Sequence, residues 1–219
     1  MEFLNEHLEY LWTNCDDPTP AIAGLAERLS REGEPFDAGQ AYLFLAKHSF
    51  RVKYYDCALE EYLRFLDQVR ADCPDDAPLL VLAYRKAGEA CMHSSLLYRK
   101  PTLAEDYLCA AYAICKEQLP ALAEELVLIC ERLSFLLFST AAEYRSEEMD
   151  RAIGYDREAI ALLDVYFPND SEWKSEFLRN LGYLHEQRGE REQAEVCYGD
   201  ALNLAFQYHV PGYQRRFCS

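Results

Sequence analysis

Three acidic pairs, Asp16-Asp17, Asp75-Asp76 and Glu147-Glu148, are the residues of this 219-residue chain whose spacing comes nearest to acid–base or magnesium chemistry. Two adjacent carboxylates can pass a proton or hold a divalent cation. Each pair also stands where a helical pattern begins, and the helix dipole favours negative charge there without any catalysis. The D-D-x-x-D helix that an all-α prenyl-transferring enzyme needs is absent. Nucleophilic chemistry requires a base beside a serine or cysteine, and the five scattered histidines form no such set. No G-x-x-x-x-G-K-[ST] or G-x-G-x-x-G phosphate loop occurs. The residues point away from an enzyme, and they call for no cofactor.

Metal and redox chemistry fare no better. The nine cysteines are odd in number and include no C-x-x-C. Cys57, Cys91, Cys109, Cys115, Cys130 and Cys197 fall inside helical patterns, where a reduced cysteine packs as a small apolar side chain. No histidine has a second ligand at helical spacing, so no metal site is expected. A net charge of −16 opposes nucleic acid and anionic membranes, because phosphate is repelled at long range. No apolar run nears the ~20 residues that span a bilayer. The start, Met1-Glu2-Phe3-Leu4, is acidic where a secretory signal is basic, so the expected address is cytoplasmic.

The elements that would position any site are helices. Leu4, Leu8, Leu11 and Trp12 share one face, as do Ile22, Leu25, Ala26 and Leu29 after an expected cap at Thr19 with Pro20 in the first turn. Gly33 and Pro35 are expected to end that second helix. Further helical runs are expected at about 37–52, 54–72, 77–98, 102–118, 121–144, 147–166, 171–188 and 190–208. Ten helices with short connections make an all-α chain.

Internal repetition orders these helices into pairs. Ala58, Ala104, Ala152 and Ala194 each occupy the same place in the second helix of a pair. Pro74, Pro120 and Pro168 follow 16 residues later, and Pro211 follows 17 later. Seven residues after each alanine stands Phe65, Ala111, Ala159 or Ala201. The first helices share a large residue followed by a smaller pair: Tyr42 with Leu45-Ala46, Tyr84 with Ala87-Gly88, Cys130 with Leu133-Ser134, and Leu178 with Leu181-Gly182. Antiparallel helices approach closely only where a side chain is small, so a small residue on each helix sets the crossing.

At these residues the chain resembles the tetratricopeptide repeat family. Asn180-Leu181-Gly182, Gly189, Ala194, Tyr198 and Ala201-Leu202 follow the family pattern, although His185 and Arg191 replace its usual aromatics. The first repeat, Tyr42 to Pro74, matches except that its turn lacks glycine. From the small residue to the alanine is 12 positions in repeats one and four, but 16 in repeat two and 18 in repeat three. Longer helices or enlarged turns would absorb the excess. The resemblance implies a right-handed α-solenoid forming a single domain. Residues 1–36 make a degenerate first pair, 37–76, 77–120, 121–168 and 171–211 are the repeats, and 212–219 form a tail. A HEAT-like array or an irregular bundle is the competing architecture.

In that family the first helices line a concave groove where ligands lie. Carried onto this chain, the groove positions are Gln40, Leu43, Phe44, Lys47, Phe50 and Arg51, then Leu82, Arg85, Lys86, Glu89, Met92 and His93. They continue with Leu128, Glu131, Arg132, Phe135, Phe138 and Ser139, then Glu176, Arg179, Asn180, Tyr183, Glu186 and Gln187. These hold six Lys/Arg against four Asp/Glu, net +2, leaving 16 against 34 elsewhere, net −18. A mildly basic groove inside an acidic shell suits an acidic-hydrophobic peptide. Lys47, Arg85, Lys86, Arg132, Arg179 and Asn180 would be its polar contacts, with Arg51 at the edge. Phe44, Phe50, Phe135, Phe138 and Tyr183 would anchor it. Against this stands the plain reading that Arg85 only pairs with Glu89 at helical spacing and the aromatics are core. The expected function is a non-enzymatic adaptor or chaperone-like scaffold. A peptide-responsive regulatory sensor and a permanent structural subunit of an assembly are the alternatives.

Overall fold

A computed structural model describes residues 2–15, 18–32, 35–95, 101–141 and 147–208. Their elements are helices α1 Glu2–Asn14, α2 Pro18–Glu32, α3 Pro35–Arg51, α4 Tyr55–Asp72 and α5 Ala77–His93. There follow α6 Pro101–Glu117, α7 Ala123–Thr140, α8 Glu147–Tyr166, α9 Ser171–Gln187 and α10 Arg191–Tyr208. The described residues are all-α, and within α1–α6 and within α7–α10 consecutive helices pack on one another as in a helical repeat. Asp16-Asp17, Gly33 and the tail beyond Tyr208 lie outside the described residues.

Two of the expected helix starts shift. α2 begins at Pro18, so Thr19 lies within the helix instead of capping it, and Pro35 opens α3 rather than closing α2. Proline is well suited to a first turn, where its missing N–H breaks no bond. True caps appear elsewhere: Asp76 accepts from Leu79 N at 3.0 Å and Asp170 accepts from Trp173 N at 3.1 Å.

The chain divides into two compact units, Met1–Glu117 and Gln118–Ser219. In the first, the pairs α1/α2, α3/α4 and α5/α6 stack in chain order around Ile22, Leu45, Leu59, Phe65 and Leu66. In the second, α7/α8 stack on α9/α10 around Leu137, Met149, Ile153, Leu181 and Leu184. All four recurrent alanines are buried: Ala58, Ala104 and Ala152 are fully enclosed and Ala194 is 4 % exposed.

The small residues of the first helices mark the crossings. A Cβ on Gly88 would lie 2.8 Å from Leu108 Cγ, too close for any side chain to fit without movement. The turns show how spacing is accommodated. Gly189, with φ 78°, carries the chain from α9 to α10, while Gly189 N bonds Glu186 O and Glu190 N bonds His185 O, each at 2.9 Å. Lys53, with φ 67°, takes the matching place between α3 and α4, with Lys53 N to Phe50 O at 3.1 Å and Tyr54 N to Ser49 O at 2.9 Å. The first repeat therefore makes the glycine turn without a glycine. In the two middle repeats the excess residues fall between the helices. α5 ends at His93 before α6 opens at Pro101, and α7 ends at Thr140 before α8 opens at Glu147.

The eight described cysteines are all free thiols. Cys91, Cys115, Cys130 and Cys197 are buried, whereas Cys57 is exposed and Cys109 half-buried. Cys57 sits one residue before the crossing alanine Ala58, so the helix turns it outward and it does not serve as core. No helix of the described residues is long and apolar enough to cross a membrane.

Candidate functional site

The groove positions of the first unit are largely occupied by neighbours. Glu89 sits between two cations, with Arg85 Nη1 at 2.8 Å from one carboxylate oxygen and Lys86 Nζ at 2.8 Å from the other. Burial on its own would raise the Glu89 pKa, but Lys86 and then Arg85 together hold it below the usual carboxylate range. The nearby Tyr62 phenol is pushed up to about 12, chiefly by burial and next by Glu89. Phe44 lies 6.0 Å from Trp12 and 4.2 Å from His48, ring to ring, under the N-terminal helix pair. Phe50 meets Tyr55 at 5.2 Å and His93 at 5.6 Å. Lys47 and Arg51 are exposed.

The second unit is different. Helical spacing puts Glu131, Arg132, Phe135 and Phe138 of α7 on one face, and Arg179, Asn180 and Tyr183 of α9 on the facing one. Between them opens a pocket of about 550 Å³, closed below by Asp156 of α8 and beside by Leu184 of α9 and Tyr198 of α10. That volume is in the ordinary range of ligand sites. Six of the twelve groove residues expected from sequence come together here: Arg132, Phe135, Phe138, Arg179, Asn180 and Tyr183. The other six belong to the first unit.

Aromatic surface lines this pocket. Phe138 meets Tyr183 edge-on at 5.4 Å, while Phe135 is 57 % exposed and Tyr183 44 %. Arg132 Nη1 stands 3.6 Å from Glu131. Arg179 is exposed and has no ion pair among the described residues. Tyr198 donates its hydroxyl to Glu186 at 2.9 Å, and burial together with that carboxylate raises its pKa.

At the floor lies the feature the sequence reading overlooked. Asp156 is 1 % exposed and its Oδ2 has no hydrogen-bond partner. Burial pushes its carboxyl up to about 7; the Ser134 hydroxyl that donates to it opposes the shift, and Glu131 reinforces it. A signal for it was present in the repeat. Four residues after the recurrent alanine stand Tyr62, Leu108, Asp156 and Tyr198, so the third repeat alone puts a carboxyl at that place. It was missed because alanines and prolines defined the register, and Asp156 lies on a second helix.

A further depression of about 420 Å³ is lined by Arg157, Leu181, His185, Val196 and Cys197. Its histidine is already satisfied, with Nδ1 at 2.6 Å from Glu190 and Nε2 at 3.5 Å from Arg157. Among the described residues no group of three or more His, Cys, Asp and Glu is arranged to hold a metal ion.

No family model matches the chain, and no curated protein does. A solved structure does: the crystal structure of BtubC (BKLC) from P. vanneervenii, with a TM-score of 0.69. The likeness is one of fold. It covers 100 % of this chain and 94 % of that one at 19 % sequence identity. The chain therefore has the helical, repeat-like fold of that protein.

Proposed function

We propose that this chain is a non-enzymatic module that binds a segment of another protein, and that the pocket bounded by α7, α8, α9 and α10 is its docking site. One observation carries the reading: a 550 Å³ aromatic hollow is held open to solvent beside Arg179, a cation without an ion pair among the described residues. Exposed aromatic surface in a concave setting gains free energy when covered, which is how interface anchors work. In this reading the helix pairs are tetratricopeptide-type repeats that wind right-handedly. The buried alanines and the close crossings at Gly88 and Gly182 support that reading.

The segment we infer is acidic and hydrophobic. Arg179 and Arg132 offer charge to its carboxylates, and Phe135, Phe138 and Tyr183 cover its apolar side chains. Arg85 and Lys86 are engaged by Glu89, so they act as a structural cluster and not as ligand contacts. Free thiols at all eight described cysteines are consistent with a reducing, cytoplasmic setting for such an adaptor.

The test is a peptide array of acidic-hydrophobic 12-mers probed with the full chain, followed by affinity measurement on the best ligands. Micromolar binding that weakens roughly tenfold in Arg179→Glu and in Phe135→Ala is expected. Peptides that bind equally well to both variants would remove the pocket from the account.

A further inference from the structure

The third repeat, the pair α7/α8, departs from α5/α6 and α9/α10 at its crossing point. In the pair α9/α10, the position four after the recurrent alanine carries Tyr198, whose ring lies where a Cβ on Gly182 would come within 2.8 Å. Leu108 fills the same place against Gly88 in α5/α6. In α7/α8 the corresponding residues are Ser134 and Asp156, a hydrogen-bonded polar pair. An aspartate is less bulky than a leucine or a tyrosine, and Asp156 lines the floor of the pocket. The hollow above it belongs to the pocket.

An apolar residue would seal that hollow; this carboxyl instead leaves a buried oxygen without a partner. Asp156 Oδ2 has no hydrogen-bond partner at 1 % exposure, a condition that is destabilising and rare in folded proteins. A group that donates a hydrogen bond to it from the pocket would relieve that deficit. Its neighbours restrict the donor's character. Phe135, Phe138 and Tyr183 provide faces and edges for a ring, and the rim carries two cations, Arg132 and Arg179, against one carboxylate, Glu131, which stands beside Arg132.

We propose that the pocket selects a neutral donor carried on an aromatic ring, a phenol such as a tyrosine side chain, with Asp156 Oδ2 accepting its hydroxyl proton. This rests on the segment-binding reading and specifies the anchor that the segment inserts. Asp156 is thus a specificity residue: the ring finds apolar walls in any case, and the hydroxyl finds its acceptor only here.

The decisive measurement uses the full chain and four fragments, followed by amide chemical shifts in two-dimensional NMR. p-Cresol carries the ring and the hydroxyl, p-methylanisole carries the same ring with the hydroxyl capped, toluene lacks the oxygen, and n-butylamine is a cationic donor. Shifts clustered at Ser134, Asp156 and Tyr183, with p-cresol at least fivefold tighter than p-methylanisole and toluene and n-butylamine weakest, are expected. In Asp156→Leu, p-cresol should fall to the level of toluene. The cresol-to-methylanisole ratio in the unaltered chain decides the question even if that variant fails to fold. Equal affinities for p-cresol and its capped analogue, tighter binding of n-butylamine, or no shifts at the pocket would each overturn the proposal. None of these bears on the Arg179 and Phe135 dependence of peptide binding, which is read separately.

Discussion

A Cβ on Gly182 would lie 2.8 Å from both Cδ1 and Cε1 of the Tyr198 ring, so α9 and α10 touch at a point that only glycine fits. Replacing a mid-helix glycine by alanine ordinarily stabilises by roughly 0.5–1 kcal/mol. Here the overlap reverses the sign, because overpacking costs about 1–3 kcal/mol. Gly182→Ala is expected to destabilise by about 1 kcal/mol and Gly182→Leu by more than about 3 kcal/mol, read from urea midpoints. Since Tyr198 also walls the pocket, both substitutions should shift the amide signals of Tyr183. Stability unchanged in Gly182→Leu would mean the crossing is not close.

Asp156 sets a pH dependence with a definite sign. Its folded value, about 7, lies above the ordinary 3.8, so the folded state binds the proton more tightly than the unfolded chain does. Stability therefore declines as pH rises from about 4 to about 7, and the full penalty persists above that. Asp156→Asn abolishes the ionisation. Relative to the unaltered chain, it should gain stability progressively from pH 4 to pH 8, by a few kcal/mol at most. A constant difference across that range, in paired denaturation curves, would show that the carboxyl titrates normally.

Glu89 has the opposite dependence. Its carboxyl is held below the usual 4.5 by Lys86 and Arg85 against the effect of burial. Its contribution is present above about pH 4.5 and disappears as the pH falls through the lowered value. Glu89→Gln removes the carboxylate that Arg85 and Lys86 share and should destabilise by about 1–3 kcal/mol at pH 7. The loss should shrink as the pH falls through that lowered value. A loss that stays constant down to the acid limit of folding would assign Glu89 a packing role only.

Lys53 adopts the left-handed conformation, φ 67°, that Gly189 adopts in the last repeat. A side chain in that region costs about 1 kcal/mol. Lys53→Gly should stabilise the chain, by up to about 1 kcal/mol once the greater freedom of glycine in the unfolded state is counted. Thermal unfolding measures it, and a fall in the midpoint would contradict the turn assignment.

Much of the fold was legible because it is periodic. The alanines Ala58, Ala104, Ala152 and Ala194 could be found from spacing alone, since a helix crossing demands a small residue at a set place on every turn of the repeat. Helix limits were less legible. α5 ends at His93, before the apolar pattern along the sequence does, because hydrophobic spacing alone does not say where the backbone leaves the helix. The candidate site was legible only where register and tertiary packing coincide. Arg132, Phe135, Phe138, Arg179, Asn180 and Tyr183 follow from helical register and line one pocket, which makes them a candidate site. Arg85, Lys86, Phe44 and Phe50 had the same register and proved to be engaged by Glu89, Trp12 and Tyr55.

Local chemistry along the chain sufficed for the helices, their pairing and the small residues where they cross, for these depend on neighbours three, four or seven positions away. Which face stays open depended on partners far apart in the chain. Trp12 covers Phe44 from 32 positions away, whereas Asp156 and Tyr183 line one hollow from separate helices. A buried carboxyl oxygen with no donor is likewise a property of three packed helices together. Burial and hydrogen bonding are sums over everything nearby, and proximity between distant segments arises only when the hairpins stack.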